Sequence, residues 1–324
     1  MKIVPEMINE QLRNFEMANN FDVKFPNEES FRKAMTFANK TNNNYEKPTD
    51  IQYSEVWISR KKESKKLRLV IYKPLEPKEN VPCVFWIHGG AYATGTPEQC
   101  EAYFRLMMAE SNCVVISPDY RLSLEAPYPA ALDDCYDALL WTKEHAKELG
   151  IRDDQIIVGG DSAGGGLAAN IAVLARDKGE VNIAFQMPLY ASLDDTLSTE
   201  SMKDNNSPVV DESTLKYAWK MYLGELYGRE VSPYAAAART RDYSDLPPMI
   251  SYVGGVDPLR DELIQYADNL IKAGIPVHYQ VFEGCFHGFE VFCPDAEISK
   301  EAVAFFIEKF NYAVKNYFKE QLLS

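Results

Sequence analysis

The chain has 324 residues, 46% of them apolar and 25% charged, which is enough to bury a sizeable core and too apolar for a disordered chain. Its 48 acidic residues outnumber 34 basic ones and give a net charge of −14. That is the wrong sign for a phosphate-binding surface or an anionic membrane, so nucleic-acid and membrane partners are set aside; no uninterrupted apolar run reaches the length of a bilayer span.

The N-terminal stretch MKIVPEMINEQLRNFE carries acids early and lacks a continuous apolar segment, which argues against a signal peptide. Ile8, Leu12 and Phe15 fall at helical spacing, and Phe31, Ala34, Met35 and Ala38 predict a second helix. The polar run TNNNYEKPTD breaks this pattern, and three strand-like runs follow: QYSEVWISR, LRLVIYK and VPCVFWIH. The basic residues Arg60, Lys61, Lys62, Lys65 and Lys66 between the first two read as a solvated hairpin turn. From there strands alternate with amphipathic helices: CVVISP, AALDDCYDALLWTKEHAKELG, IIVGG with an Ala-rich helix to about Asp177, then AFQMPLY. The alternation resumes with PMISYVGG, a helix from about Pro258 to Lys272, VHYQVFE, and a closing helix after Ile298. This rhythm predicts an α/β protein with a mostly parallel central sheet flanked by helices.

One stretch breaks the rhythm. Between Ser192 and Arg229 a polar segment leads into a helix with Leu215, Trp219, Tyr222, Leu223 and Leu226 on one face, more like a lid than a plain loop. The expected organisation is therefore an N-terminal cap segment (residues 1–45), a core in two parts (46–191 and 230–324), and a cap insertion (192–229) between them. The six cysteines, Cys83, Cys100, Cys113, Cys135, Cys285 and Cys293, form no CxxC pair and no zinc-finger spacing. Most of them read as buried thiols of a cytoplasmic protein.

The chemistry gathers at predicted strand ends. Gly160-Asp161-Ser162-Ala163-Gly164 matches G-x-S-x-G between a strand and a helix, where a strained turn can expose a serine hydroxyl. A serine needs a base, and of four histidines only His287 sits in a glycine-flanked loop (GCFHGF) directly after the last strand. His145 lies in a charged helix and reads as a solvated surface residue, and His278 alternates within a strand and reads as structural. Asp257, in GGVDP after a strand, is the candidate to orient the imidazole, with Asp261 and Glu262 as rivals inside the following helix. The order Ser162, Asp257, His287 is that of α/β hydrolases. After the third strand-like run, His88-Gly89-Gly90-Ala91 offers bare backbone N–H donors. Gly89, Gly90 and Ala163 are the expected oxyanion hole, and His88 the residue that holds the loop.

Together HGGA (88–91), DYR (119–121), YPAALDD (128–134), GDSAGG, SPYAA (232–236), LPP (246–248), DPLRDE (257–262) and HGF (287–289) resemble the hormone-sensitive lipase family of α/β-hydrolase esterases. The resemblance places that family's nucleophile, acid and base on Ser162, Asp257 and His287. It also implies the α/β-hydrolase fold, a helical cap over the acyl pocket, and pairing into a homodimer. This chain departs from the pattern at Ala91, where many members carry a third glycine and which is taken as part of the pocket floor. It departs again in LSLEAPYPA, where Glu125 is the candidate match for a family glutamate.

The expected activity is hydrolysis of a small-molecule ester through an acyl-enzyme, with no cofactor and no metal. Trp219 and Tyr222 are candidates to close the pocket around a short acyl group, and core packing of the cap helix explains them equally well. The rival readings are an amidase or peptidase on the same triad, or a non-catalytic ligand-binding protein similar to the plant gibberellin receptors, which lack the histidine.

Overall fold

In a computed structural model, which describes residues 1–41 and 45–321, eight strands form one sheet in the order β1-β2-β4-β3-β5-β6-β7-β8. They are β1 (Gln52–Ser59), β2 (Lys66–Lys73), β3 (Val81–Ile87), β4 (Val114–Pro118), β5 (Ile151–Asp161), β6 (Phe185–Leu189), β7 (Met249–Gly254) and β8 (Val277–Phe282). β1 and β2 pair antiparallel, as do β2 and β4, and every pair from β4 through β8 is parallel. Strands β3, β4, β6 and β7 are buried along their whole length, as continuous apolar runs in a parallel sheet must be.

The helices are α1 (Glu28–Thr41), α2 (Glu101–Ser111), α3 (Ala130–Glu144), the single turn α4 (Ala146–Leu149), α5 (Ala163–Lys178), α6 (Glu212–Leu223), α7 (Arg260–Lys272), the single turn α8 (Phe289–Phe292) and α9 (Glu297–Asn316). Successive residues of β3 feed opposite faces of the sheet. Val84 and Trp86 join the core beneath α2 and α9, whereas Cys83, Phe85 and Ile87 join the core beneath α3 and α5. The chain leaves β3 outward to β4 and returns on its other side to β5. The sheet therefore changes direction at β3, and loops leaving the carboxyl ends of β3 and β5 open a crevice there.

Three expectations need correction. Ile8 and Leu12 are buried, but the segment around them is not α-helical. It runs through 3₁₀ turns at Pro5–Met7 and Glu16–Asn19, and the Asn9 N–H donates to the Gly284 carbonyl (2.8 Å). Polar Asn9, Asn14 and Asn19 favour local turns over helix, and a tertiary bond takes the backbone donor. Helix α2 carries a readable pattern (Tyr103, Phe104, Met107 and Met108 buried) but was absent from the alternation read above; it ends on Asn112 at φ 54°. In the β1–β2 hairpin, Arg60 is not solvated. It pairs with Asp134 at 2.7 Å, on the same carboxylate that Arg121 grips at 2.8 Å.

Candidate active site

The site starts from the geometry of one turn. β5 ends in Asp161, α5 begins at Ala163, and Ser162 between them adopts φ 55° and ψ −119°, a strained conformation for a residue with a side chain. The flanking glycines make the turn sterically feasible. A Cβ on Gly164 would run into the carbonyls of Ile87 and His88, and one on Gly160 into those of Gly164 and Ile87. The end of β6 and the segment after it clamp the turn: the Ser162 N–H donates to the Leu189 carbonyl (3.0 Å) and the Ser192 N–H donates to the Ser162 carbonyl (3.2 Å).

Strands β7 and β8 bring the partners. The Ser162 hydroxyl donates to His287 Nε2 at 2.8 Å, and His287 Nδ1–H donates to Asp257 Oδ2 at 2.8 Å. The second oxygen of Asp257 accepts the Leu259 N–H (2.9 Å), which fixes the carboxylate plane. Asp257 is fully buried and His287 nearly so. Burial alone would pull the His287 pKa down. The charge and hydrogen bond of Asp257, with smaller contributions from Glu290 and Asp161, outweigh it and leave the imidazole above its ordinary value.

The loop after β3 bends over the serine with Gly90 at φ 115° and Ala91 at φ 54°. The N–H groups of Gly89 and Gly90 engage no acceptor among the described residues. Ala163 opens α5, where first-turn N–H groups have no intrahelical partner. His88 is buried beneath this loop, its Nδ1–H donating to the Gly89 carbonyl (2.8 Å) and its ring stacked on Tyr120 at 4.2 Å. Burial lowers its pKa and keeps the ring neutral.

Ser162 and His287 open into a cavity of about 430 Å³, lined by Gly90, Ala91 and Ala163 and otherwise mostly by apolar side chains. Met35 of α1, Val209 and Val210, Leu215 and Ala218 of α6, and Val291 and Phe292 of α8 form its walls. Helix α1 packs on α6 through Phe31, Ala218 and Met221, so the two separated segments meet above the serine. Trp219 and Tyr222 are not in the wall. They are buried against Tyr92, at 5.5 Å and 4.1 Å between ring centroids, because the apolar face of α6 turns toward the core. Glu125 is exposed; it lines a separate cavity beside the basic hairpin, and its carboxylate accepts the Leu122 N–H (3.3 Å).

The rivals for the acid have other partners. Asp261 accepts the Ser201 N–H (2.7 Å), and buried Glu262 accepts the Leu193 N–H (2.6 Å), so both tie the 192–229 segment to α7. His145 bonds to the Trp141 carbonyl and His278 to the Tyr317 hydroxyl. Missed in the sequence were Tyr103 and Tyr190, which line the cavity, and buried Glu290, three residues beyond His287. The one available signal was an acid placed directly after HGF, where an apolar residue would suit a buried turn. Among the described residues, no group of three His, Cys, Asp or Glu side chains is placed to hold a metal ion.

A mostly parallel sheet with a serine turn, a histidine loop and a buried aspartate at its carboxyl edge defines the α/β-hydrolase class. A family model described as alpha/beta hydrolase fold matches residues 84–291, and the chain belongs to that family, in its hormone-sensitive-lipase-like group. It is similar to the esterase LipI of Mycobacterium tuberculosis, with 35% identity over 222 residues that cover 68% of this chain and 69% of that one. The arylesterase of Saccharolobus solfataricus is 35% identical over 240 residues, covering 71% and 74%. Among solved structures, a bacterial heroin esterase superposes with a TM-score of 0.86 at 32% identity, covering 95% of this chain and 98% of the other. The chain is a carboxylic ester hydrolase.

Proposed function

We propose that the chain is a serine carboxylesterase that works through an acyl-enzyme. The observation that carries this reading is the unbroken relay from Ser162 Oγ to His287 Nε2 and from His287 Nδ1 to Asp257, each step 2.8 Å. Ser162 attacks the ester carbonyl while His287 takes its proton, and Asp257 stabilises the imidazolium. The oxyanion is held by the N–H groups of Gly89, Gly90 and Ala163. His287 then protonates the leaving alcohol, and water repeats the sequence on the acyl-serine. Residues 1–41 and 192–229 act as one cap over this site; residues 42–44 of the expected cap segment lie outside the described residues. The six thiols, all free, support a reducing, cytoplasmic setting.

Ser162→Ala is expected to abolish ester turnover while the melting temperature and far-UV spectrum stay those of the parent. Retained turnover would remove Ser162 from its role. The preferred ester carries a short acyl group. Trp219 and Tyr222 lie outside the cavity wall, and what supports the choice is Ala91, whose methyl group stands in the lining beside Gly90 where a third glycine would leave more space. Across 4-nitrophenyl esters from acetate to decanoate, kcat/KM should peak between acetate and butyrate; a maximum at decanoate would overturn the short-acyl assignment.

A further inference from the structure

The mechanism above makes no use of Glu290, a carboxyl group buried in α8 three residues beyond His287. Its Oε1 accepts the hydroxyls of Tyr103, in a short contact, and of Tyr252 at 2.8 Å. With its own proton committed to Glu290, the Tyr103 oxygen accepts the Tyr190 hydroxyl at 2.8 Å. One carboxyl group thus gathers phenols from α2, from β7 and from the segment after β6. Tyr190 is the informative member. Its backbone holds φ 32°, uncommon for a residue with a side chain, and its ring stands edge-on to the His287 imidazole with centroids 5.0 Å apart. It also lies between Leu189 and Ser192, the two residues that clamp the Ser162 backbone.

We propose that Glu290 is a positioning residue for the general base. Through Tyr103 and Tyr190 it holds the imidazole plane so that Nε2 meets Ser162 and Nδ1 meets Asp257 at the same time. The inference rests on the triad proposed above and adds the support that keeps it aligned. A ring free to tilt would lose the serine hydrogen bond or the aspartate hydrogen bond, and misplacement by a fraction of an ångström is costly in catalysis. The ionisable groups that bear on the imidazole are Asp257 after β7, Asp161 at the end of β5, and Glu290 three residues beyond the histidine; Glu290 itself is faced by Tyr103, Tyr190, Tyr252 and Cys285.

Two variants cut the same link at different points. Glu290→Leu removes the acceptor, and Tyr190→Phe keeps the ring but releases it from Tyr103. Each should lower kcat for 4-nitrophenyl acetate about tenfold, with KM within about twofold, equivalent to about 1.4 kcal/mol in the barrier. The double variant should fall no further than the worse single one, because the residues act in series. The acid limb of the pH profile should move to lower pH in both: in Tyr190→Phe because a tilted imidazole loses part of the stabilisation Asp257 gives its cation, and in Glu290→Leu also because the carboxylate's own support of that cation is gone. Rates are measured below each variant's melting onset, so loss of folded protein does not enter. A lower melting temperature with kcat and the acid limb unmoved would make the cluster structural only and overturn the inference. Multiplying losses in the double variant would also overturn it. Should Glu290→Leu fail to fold, Tyr190→Phe alone decides by the same two readouts. Either result against Glu290 leaves the triad reading to its own test, the loss of turnover in Ser162→Ala.

Discussion

At the level of single residues, the site depends on where protons sit. The imidazole must be neutral to accept the serine proton, so protonating His287 removes activity. Its pKa lies above the ordinary histidine value of about 6.5, because Asp257 favours the cation more than burial disfavours it. A raised pKa means the proton is kept to higher pH. The acid limb of kcat/KM should accordingly have its midpoint above about 6.5, and a profile of the purified enzyme from pH 5 to 9 measures it. A midpoint below that value would mean that desolvation wins at this imidazole.

At the level of elements, α6 separates two functions that sequence alone could not divide. Its apolar residues were evident, but the direction each one faces depends on what α6 packs against. Trp219 sits against Tyr92 in the core, whereas Ala218 and Leu215 reach the cavity. Trp219→Ala should therefore cost about 3–5 kcal/mol of stability, read by chemical denaturation, and leave the chain-length optimum where it was. Ala218→Phe adds volume inside the cavity and should shift that optimum toward acetate. The two expectations together test which face of α6 the substrate meets. Much of this level was legible in advance, because strand runs such as VPCVFWIH and the G-x-S-x-G turn encode their structure locally. Ser162, Asp257 and His287 could be singled out because each lies at a strand end, where the fold concentrates reacting groups. The first 22 residues and the Glu290 cluster could not be read, for a shared reason. Asn9 bonds to Gly284, and Glu290 bonds to tyrosines 38 to 187 positions away, so their conformations are set by partners distant in sequence.

For the whole molecule, the organising body is the eight-stranded sheet, and no helix among the described residues is long and apolar enough to cross a membrane. The nucleophile and its base are 125 residues apart, and they meet only through the lateral order β5, β6, β7, β8. Among the described residues β8 is the outermost strand on that side and pairs only with β7, so the base hangs from the sheet's open margin. A chain that had shed β8 and α9 would keep seven strands and most of its helices, and with them most of its circular dichroism. It would have no working base. In a urea titration, esterase activity should be lost at or before the far-UV transition and never after it. Turnover in this protein is thus a gauge of whether the last strand is in place, and a simple colour reaction can report on the integrity of one edge of the fold.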